Sequence, residues 1–144
     1  MGLCKRLIAR LDIKGSKLIK GLQFEGVRVL GDPSTFANKY ASNNIDELIY
    51  VDSVASLYGR NSLTELLRET SRKVFVPITA SGGIRSVDDA AKLLANGADK
   101  IAINTAVINK PNLISDLVNT FGSQCVVISI QARKIRTSNS WEAM

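Results

Sequence analysis

Residues 76–106 read VPITASGGIRSVDDAAKLLANGADKIAINTA, and this stretch gives the clearest indication of the fold class. The short apolar runs at 76–80 and 100–104 are typical of buried parallel strands, because they lack the polar alternation of a half-exposed hairpin. The segment between them has the signals of a helix, with Ser86 as N-cap and Gly97 at the exit. The stretch therefore predicts a strand, a helix and a second parallel strand, joined by a right-handed crossover.

The same alternation of apolar runs and helical segments extends over the rest of the chain. The further strands are predicted at 6–13, 47–52 and 125–130. The further helices begin at Pro33 with Asp32 as N-cap, at Ser62 with Glu65 completing a capping box and an end near Arg72, and at Pro111 with Gly122 at the exit. The order β-α-β-α-β-α-β-α-β builds either an open doubly wound sheet or a closed (βα)8 barrel.

The length of 144 residues bears on this choice. It suits a single domain spanning 1–144, whereas a complete barrel of eight units needs roughly 250 residues. The residue pattern alone does not choose between the two architectures. If the barrel is right, the fold class is α/β, an incomplete TIM (βα)8 barrel of about four βα units plus a fifth strand.

Composition excludes several classes of function. No apolar run reaches the ~18 residues of a membrane span, so a water-soluble cytoplasmic protein without membrane contact is expected. The chain has no His, which rules out a Ser-His-Asp triad and every His-ligated metal site. Cys4 and Cys125 lie far apart and indicate neither a zinc site nor a disulfide framework. The charge of +6 is spread along the chain, which favours phosphorylated ligands over nucleic acid, and no cofactor is expected.

Residues at the carboxyl ends of the predicted strands are the candidates for chemistry, because function collects there in barrels and open sheets alike. Gly82 and Gly83 leave peptide N–H groups that can approach a phosphate closely, and Asn104 and Thr105 add donors on the next strand end. The alternative interpretation is a tight turn and a helix cap. Asp12 closes the first strand and is either a proton-transfer group or a solvated charge.

Lys14, Lys17 and Lys20 surround a turn at residues 15–16. The Gly-Ser pair there predicts either a short hairpin or a flexible loop over the same face. A basic loop of this kind suits an anionic substrate.

Several motifs, taken together in order and spacing, resemble one known family. They are RLIARLDIKGSKLIKG at 6–21, GDP at 31–33, IDELIYVD at 45–52, SGGIRS at 81–86, NGADKIAINTA at 96–106, KPNLI at 110–114 and FGSQCVV at 121–127. The family is the cyclase subunit of imidazole glycerol phosphate synthase, an enzyme of histidine biosynthesis. The resemblance implies a (βα)8 barrel of two similar halves, of which the chain matches the first half plus strand 5 and its hairpin.

The resemblance also implies a reaction and a partner. Ammonia released by a glutaminase subunit, the other half of a heterodimer, travels through the barrel and attacks a bisphosphorylated ribulosyl-aminoimidazole carboxamide nucleotide. Ring closure and cleavage give imidazole glycerol phosphate and an aminoimidazole carboxamide ribotide. An enzyme of the lyase or cyclase type is therefore expected.

Residues at both ends of the barrel receive roles from the resemblance. The substrate end is implied to carry a catalytic aspartate, a loop lysine near the substrate and one of two phosphate clamps, which are Asp12, Lys20, and Gly82, Gly83, Asn104 and Thr105. The opposite end is implied to carry three members of a charged ring that gates ammonia and a contact to the glutaminase, which are Arg6, Glu47 and Lys100, and Asp99.

Gln131 departs from the family pattern, in which a second catalytic aspartate ends strand 5. An amide cannot exchange a proton at neutral pH, and general acid-base assistance is worth roughly 10²- to 10⁴-fold in rate. The second phosphate clamp and the fourth gate residue belong to strands that the chain does not match. A truncated and impaired cyclase is therefore predicted.

Three alternatives stay open. A paralogue that uses ammonia to amidinate surface-polysaccharide sugars would fit Arg10 and Gln131. A non-catalytic half barrel would bind only phosphate or a glutaminase. A flavodoxin-like open-sheet binder needs helices on both sheet faces and predicts a monomer, whereas an unclosed half barrel exposes two strand edges and should self-associate.

Overall fold

A computed structural model describes residues 4–22, 26–55 and 63–143. The strands are β1 (Ile8–Lys14), β2 (Lys17–Leu22), β3 (Gly26–Gly31), β4 (Glu47–Asp52), β5 (Ile78–Ser81), β6 (Lys100–Ile103), β7 (Val126–Ile128), β8 (Ala132–Lys134) and β9 (Trp141–Ala143). The helices are α1 (Pro33–Ser42), α2 (Leu63–Thr70), α3 (Val87–Ala95), α4 (Thr105–Asn109) and α5 (Asn112–Phe121), with a short 3₁₀ turn at Ser123–Cys125.

The main sheet has seven strands in the order β3-β2-β1-β4-β5-β6-β7. From β1 onward the neighbours are parallel and follow chain order. A doubly wound sheet would reverse its order at a switch point, and this one does not. The sheet is therefore a stretch of barrel wall, and within the described residues it is not closed. The predicted α/β incomplete barrel is confirmed, and the flavodoxin-like alternative is wrong.

The helices cover one face of this sheet. In-register rows across the parallel strands alternate between the faces. The row on the helix face is at most 3% exposed and consists of Leu11, Tyr50, Ala80 and Ile101. Leu67, Leu93 and Leu117 from the helices complete this core. The adjacent row points away from the helices, toward what is the interior of a barrel, and consists of Asp12, Val51, Ser81 and Ala102. We call that side the inner face.

The helix boundaries follow the predicted caps. The Thr35 N–H donates to Asp32 Oδ2 at 2.8 Å, and the Asp89 N–H donates to Ser86 Oγ at 3.2 Å. Gly97, just after α3, has a φ of +111°, a conformation that side chains disfavour. These three predictions are confirmed. The predicted cap at residue 62 lies outside the described residues.

Three local predictions differ from the structure. The turn at residues 15–16 is a hairpin, as one alternative had it, but β2 and β3 extend the sheet beyond β1 instead of folding over its face. Asn104 is the N-cap residue of α4, as the helix-cap alternative had it, but its side chain makes no capping hydrogen bond. The helix α4 itself was not predicted, because five residues are too few for a hydrophobic periodicity. The strand predicted at 125–130 is β7, which is three residues long instead of six, because β6 ends at Ile103, the partner of Ile128.

Tyr50 gives the fold a pH dependence. Its ring is fully buried and its hydroxyl lies 2.9 Å from Thr70 Oγ1. Burial raises the pKa of Tyr50 from 10.0 to about 12, and the hydrogen bond with Thr70 opposes part of this rise. The phenol is neutral in both states below pH 10, so its contribution is complete there. The unfolded chain ionises first, so stability should fall between pH 10 and 12, by at most about 3 kcal/mol.

Urea unfolding as a function of pH checks this expectation. Tyr50→Phe should remove the loss of stability between pH 10 and 12, whereas Tyr40→Phe, which removes the hydroxyl of an exposed ring on α1, should retain it. An identical pH profile for the two variants would contradict the assignment to Tyr50.

Candidate functional site

A cavity of about 570 Å³ lies at the carboxyl ends of β4, β5 and β6. All four residues of the predicted phosphate clamp line this cavity. The residue at the position of the family's second catalytic aspartate lines it too. They are Gly82, Gly83, Asn104 and Thr105, and Gln131. The structure thus brings these five residues to one place, and their role in binding stays a prediction.

The two glycines turn the chain at the cavity wall. Gly82 and Gly83 have φ angles of +104° and +72°, which favour glycine. A Cβ added to Gly82 would lie 2.5 Å from the carbonyl oxygen of Asp52, so no side chain fits between the ends of β4 and β5. The peptide groups at this corner can therefore approach a ligand without an intervening side chain.

The start of α3 offers fewer donors than its sequence suggested. The Asp89 N–H is bound by Ser86, and the Arg85 N–H donates to Asp89 Oδ2 at 3.1 Å. Asp88 adds a second carboxylate to the first turn. An anion in the cavity would thus depend on the glycine peptides and the β6 loop more than on the helix terminus.

Two cationic side chains that sequence analysis did not single out also line the cavity. Arg85 follows the glycine pair, and Lys110 follows α4. The Arg85 Nη2 donates to the Ala55 carbonyl oxygen at 3.3 Å, which ties the loop after β5 to the loop after β4. In the sequence, only position could have indicated these two residues. Arg85 follows a candidate glycine turn, and Lys110 directly precedes the helix start at Pro111.

Asp52 is the carboxylate of the cavity wall. It is 4% exposed, and its Oδ1 accepts the N–H groups of Val54 and Ala55 at 3.0 and 2.9 Å. These bonds turn the chain after β4. Its position at a strand end was visible in the sequence, but its local bonding was not.

Asp12 lies on the inner face, in the same row as three cavity residues, Val51, Ser81 and Ala102. It is in register with Val51, which is in register with Ser81. Two strand spacings of ~4.8 Å separate Asp12 from Ser81. Asp12 is half-buried, and Arg10 Nε donates to its Oδ1 at 2.9 Å. The predicted catalytic carboxylate and the predicted phosphate clamp therefore share one face of the sheet.

Lys20 is placed differently from the prediction. It is exposed on β2, where it pairs with Arg28. Its neighbour Ile19 is in register with Asp12, so strand alternation directs Lys20 to the opposite sheet face. The structure does not bring this lysine to the cavity, and its role near the substrate stays a prediction.

A charged cluster occupies the opposite end of the strands. Glu47 is 6% exposed and accepts hydrogen bonds from Arg6 and from Lys100, the latter at 3.1 and 3.2 Å. The three residues that the resemblance assigned to an ammonia gate thus meet in the structure. A buried carboxylate with two cationic partners is also a stable structural arrangement, so gating stays a prediction.

Asp99 has an internal function at the same end. Its N–H donates to the Ile78 carbonyl at 2.8 Å, and its Oδ2 accepts the Ile78 N–H at 2.8 Å. Asp46 makes the same two bonds with Leu7, at 2.9 and 2.6 Å. The residue before each of β4 and β6 therefore fixes the start of the neighbouring parallel strand, β1 and β5 respectively. The carboxylate of Asp99 is exposed at this end but already has a backbone partner.

Within residues 4–22, 26–55 and 63–143, no group of three or more His, Cys, Asp or Glu could hold a metal ion. None of the helices in the described part of the chain is long and apolar enough to cross a membrane.

Comparison with known proteins gives consistent results. The model of the family described as "Histidine biosynthesis protein" matches residues 6–144. The chain is 61% identical over 140 residues to the imidazole glycerol phosphate synthase subunit HisF of Legionella pneumophila, covering 96% of this chain and 65% of the relative. It is 44% identical to the HisF subunit of Mycobacteroides abscessus (99% and 57%) and 43% identical to that of Methanopyrus kandleri (93% and 49%). The chain spans about half to two thirds of these relatives.

Proposed function

Because the chain belongs to the histidine biosynthesis protein family, a family of TIM barrels, we propose that it acts as the cyclase subunit of imidazole glycerol phosphate synthase. The observation that supports this most strongly is the cavity where Gly82, Gly83, Asn104 and Thr105 meet on the same face as Asp12. The relatives named above all carry the name of this subunit, which favours the cyclase over a polysaccharide paralogue.

One phosphate of the substrate binds in the cavity. The two glycines allow close approach of peptide N–H groups, and the cavity holds Arg85 and Lys110 against the single carboxylate of Asp52. Charge-assisted hydrogen bonds of this kind are the strong ones in proteins. The substrate's second phosphate then binds to the part of the relatives' subunit that this chain does not match.

Asp12 moves protons while ammonia adds to the substrate. Addition to the carbonyl carbon of the substrate's ribulosyl group forms a C–N bond while the C=O π electron pair moves to the oxygen. The Asp12 carboxylate, two strand spacings from Ser81 of the cavity, accepts the proton that the new ammonium group loses. Gln131, which also lines the cavity, holds the substrate by hydrogen bonds but cannot take a proton. The chain's reaction is therefore slower than that of a subunit with a carboxylate at both positions.

The glutaminase docks at the opposite end of the strands. Arg6, Glu47 and Lys100 cluster there, so ammonia entering past them would move along the inner face toward Asp12.

Self-association is a second proposed contact. The outer strands β3 and β7 carry exposed apolar side chains, Val27 and Val29 on the first and Val127 and Ile128 on the second.

Inorganic phosphate is the probe that tests the cavity. Lys110→Gln should weaken phosphate binding measured by calorimetry about 3- to 10-fold, since it removes one cation from the cavity wall. Lys92→Gln, which removes an exposed charge on α3 away from the cavity lining, should change the affinity less than 2-fold at 0.15 M salt. Equal effects of the two variants would mean that binding reflects net charge and not this site.

Turnover of the phosphorylated aminoimidazole nucleotide with ammonium salt tests the reaction itself. Product formation without a glutaminase supports the cyclase. Phosphate binding without any turnover, even when the rest of a relative's subunit is supplied, would favour a non-catalytic phosphate-binding half barrel.

A further inference from the structure

Arg10 is a chemical feature of the inner face that the proposed mechanism does not use. It lies on β1 two residues before Asp12, so both side chains point to the same side of the sheet. Most of its side chain is accessible, and its guanidinium reaches the Asp12 carboxylate. A cation thus sits directly beside the carboxylate to which the proposed function gives the proton transfer.

The contact between them is one-sided. Arg10 Nε donates to Asp12 Oδ1 at 2.9 Å, and Arg10 Nη2 lies 2.9 Å from the same oxygen. Within the described residues, this guanidinium makes no hydrogen bond with Oδ2 of Asp12. The two carboxylate oxygens are therefore not equivalent.

The contact contributes little to folding. The side chains are 60% and 36% exposed, and exposed ion pairs contribute about 0 to 1 kcal/mol. A planar guanidinium that donates from Nε, with Nη2 close to the same oxygen, nevertheless restricts the rotation of the carboxylate. A lysine with a single flexible ammonium does this less well. Orientation, and not stability, is the property that this pair can supply.

We propose that Arg10 is a positioning residue for Asp12: it holds Oδ1 and leaves Oδ2 as the oxygen that meets the substrate's proton. This inference rests on the proposed function, because it refines the role of Asp12 in that site. The proposed role of Arg10 follows from the register of β1 and from the two short distances between the guanidinium and Asp12 Oδ1. It depends on an arginine at position 10.

The rotamer of Asp12 in the whole chain tests the proposal. NMR three-bond couplings between Hα and the two Hβ atoms of Asp12 should report one dominant χ1 rotamer in the unchanged protein. Arg10→Met, which keeps an unbranched side chain but has no donor, should lose this pattern and give averaged couplings. Arg10→Lys should restore it in part. The urea midpoint should stay the same in all three proteins, which separates positioning from a structural role.

A matched arginine provides the control. Arg133 pairs with Glu142 at 2.9 Å, with side chains 69% and 54% exposed, on the separate β8-β9 hairpin. Arg133→Met should leave the Asp12 couplings unchanged. Averaged couplings in the unchanged protein, or a single rotamer that survives in Arg10→Met, would overturn the proposal. If the unchanged protein neither bound phosphate nor turned over the substrate, the proposed function would be wrong, but the Asp12 couplings would be the same. Failure of the proposed function and failure of the positioning role are therefore distinguishable.

Discussion

Gln131→Asp is expected to raise ammonia-dependent turnover about 10²- to 10⁴-fold when the remainder of a relative's subunit is supplied in trans. The substitution restores a carboxylate that can exchange protons at the cavity that Gln131 lines. In the chain alone we expect no gain, because one phosphate clamp cannot orient a substrate with two phosphates. Steady-state turnover with ammonium salt, with and without the supplied segment, is the measurement.

Two controls separate this effect from a change in charge. Gln124→Asp places the same charge at an exposed position in the 3₁₀ turn and should leave the rate unchanged. Asp12→Asn in the Gln131→Asp background should cancel the gain, because both carboxylates act in one reaction. A large gain in the chain alone would show that the second clamp is not needed.

Gly82→Ala is expected to destabilise the fold by about 3 to 5 kcal/mol, the range of severe single substitutions. The added Cβ would lie 2.5 Å from the Asp52 carbonyl oxygen and 3.1 Å from the Asp52 amide nitrogen, both of which are backbone atoms that cannot rotate away. The φ of +104° adds a conformational cost. The variant should also lose phosphate binding, since relief of the clash displaces the loop after β5.

Gly15→Ala is the control that has the cost of a positive φ but not the steric clash of an added Cβ with a neighbouring backbone. Gly15 has a φ of +61°, and its added Cβ would meet no atom within 4 Å. We expect a loss of only about 1 to 2 kcal/mol there. Urea unfolding of both variants checks the comparison, and similar losses would contradict the tight contact between the loop after β5 and the end of β4.

The sequence predicted those parts of the fold that depend on local signals. The caps at Asp32 and Ser86 and the strand at 47–52 match the structure because each is specified by adjacent residues or by a continuous apolar run. The β2-β3 extension was missed because it depends on pairing with β1, a non-local contact. The helix α4 was missed because five residues are too few for a periodicity.

The candidate site divides in the same way. The glycine pair and the Asn104-Thr105 pair come together because the carboxyl ends of parallel neighbours meet at one edge, which strand order alone predicts. The face on which Lys20 lies could not be predicted, because the register of β2 against β1 decides it. The Ile78 backbone partner of Asp99 could not be predicted either, since residues 21 apart in sequence form that bond.

The position of a bound phosphate would show whether the cavity at the carboxyl ends of the strands is the binding site. In a titration of the isotopically labelled chain with inorganic phosphate, followed by amide NMR, we expect saturable shifts at Gly82, Gly83, Asn104 and Thr105, with the amides of Glu47 and Lys100 unchanged. Saturable shifts at the Glu47 end of the strands, with the glycine pair unaffected, would contradict binding at the cavity.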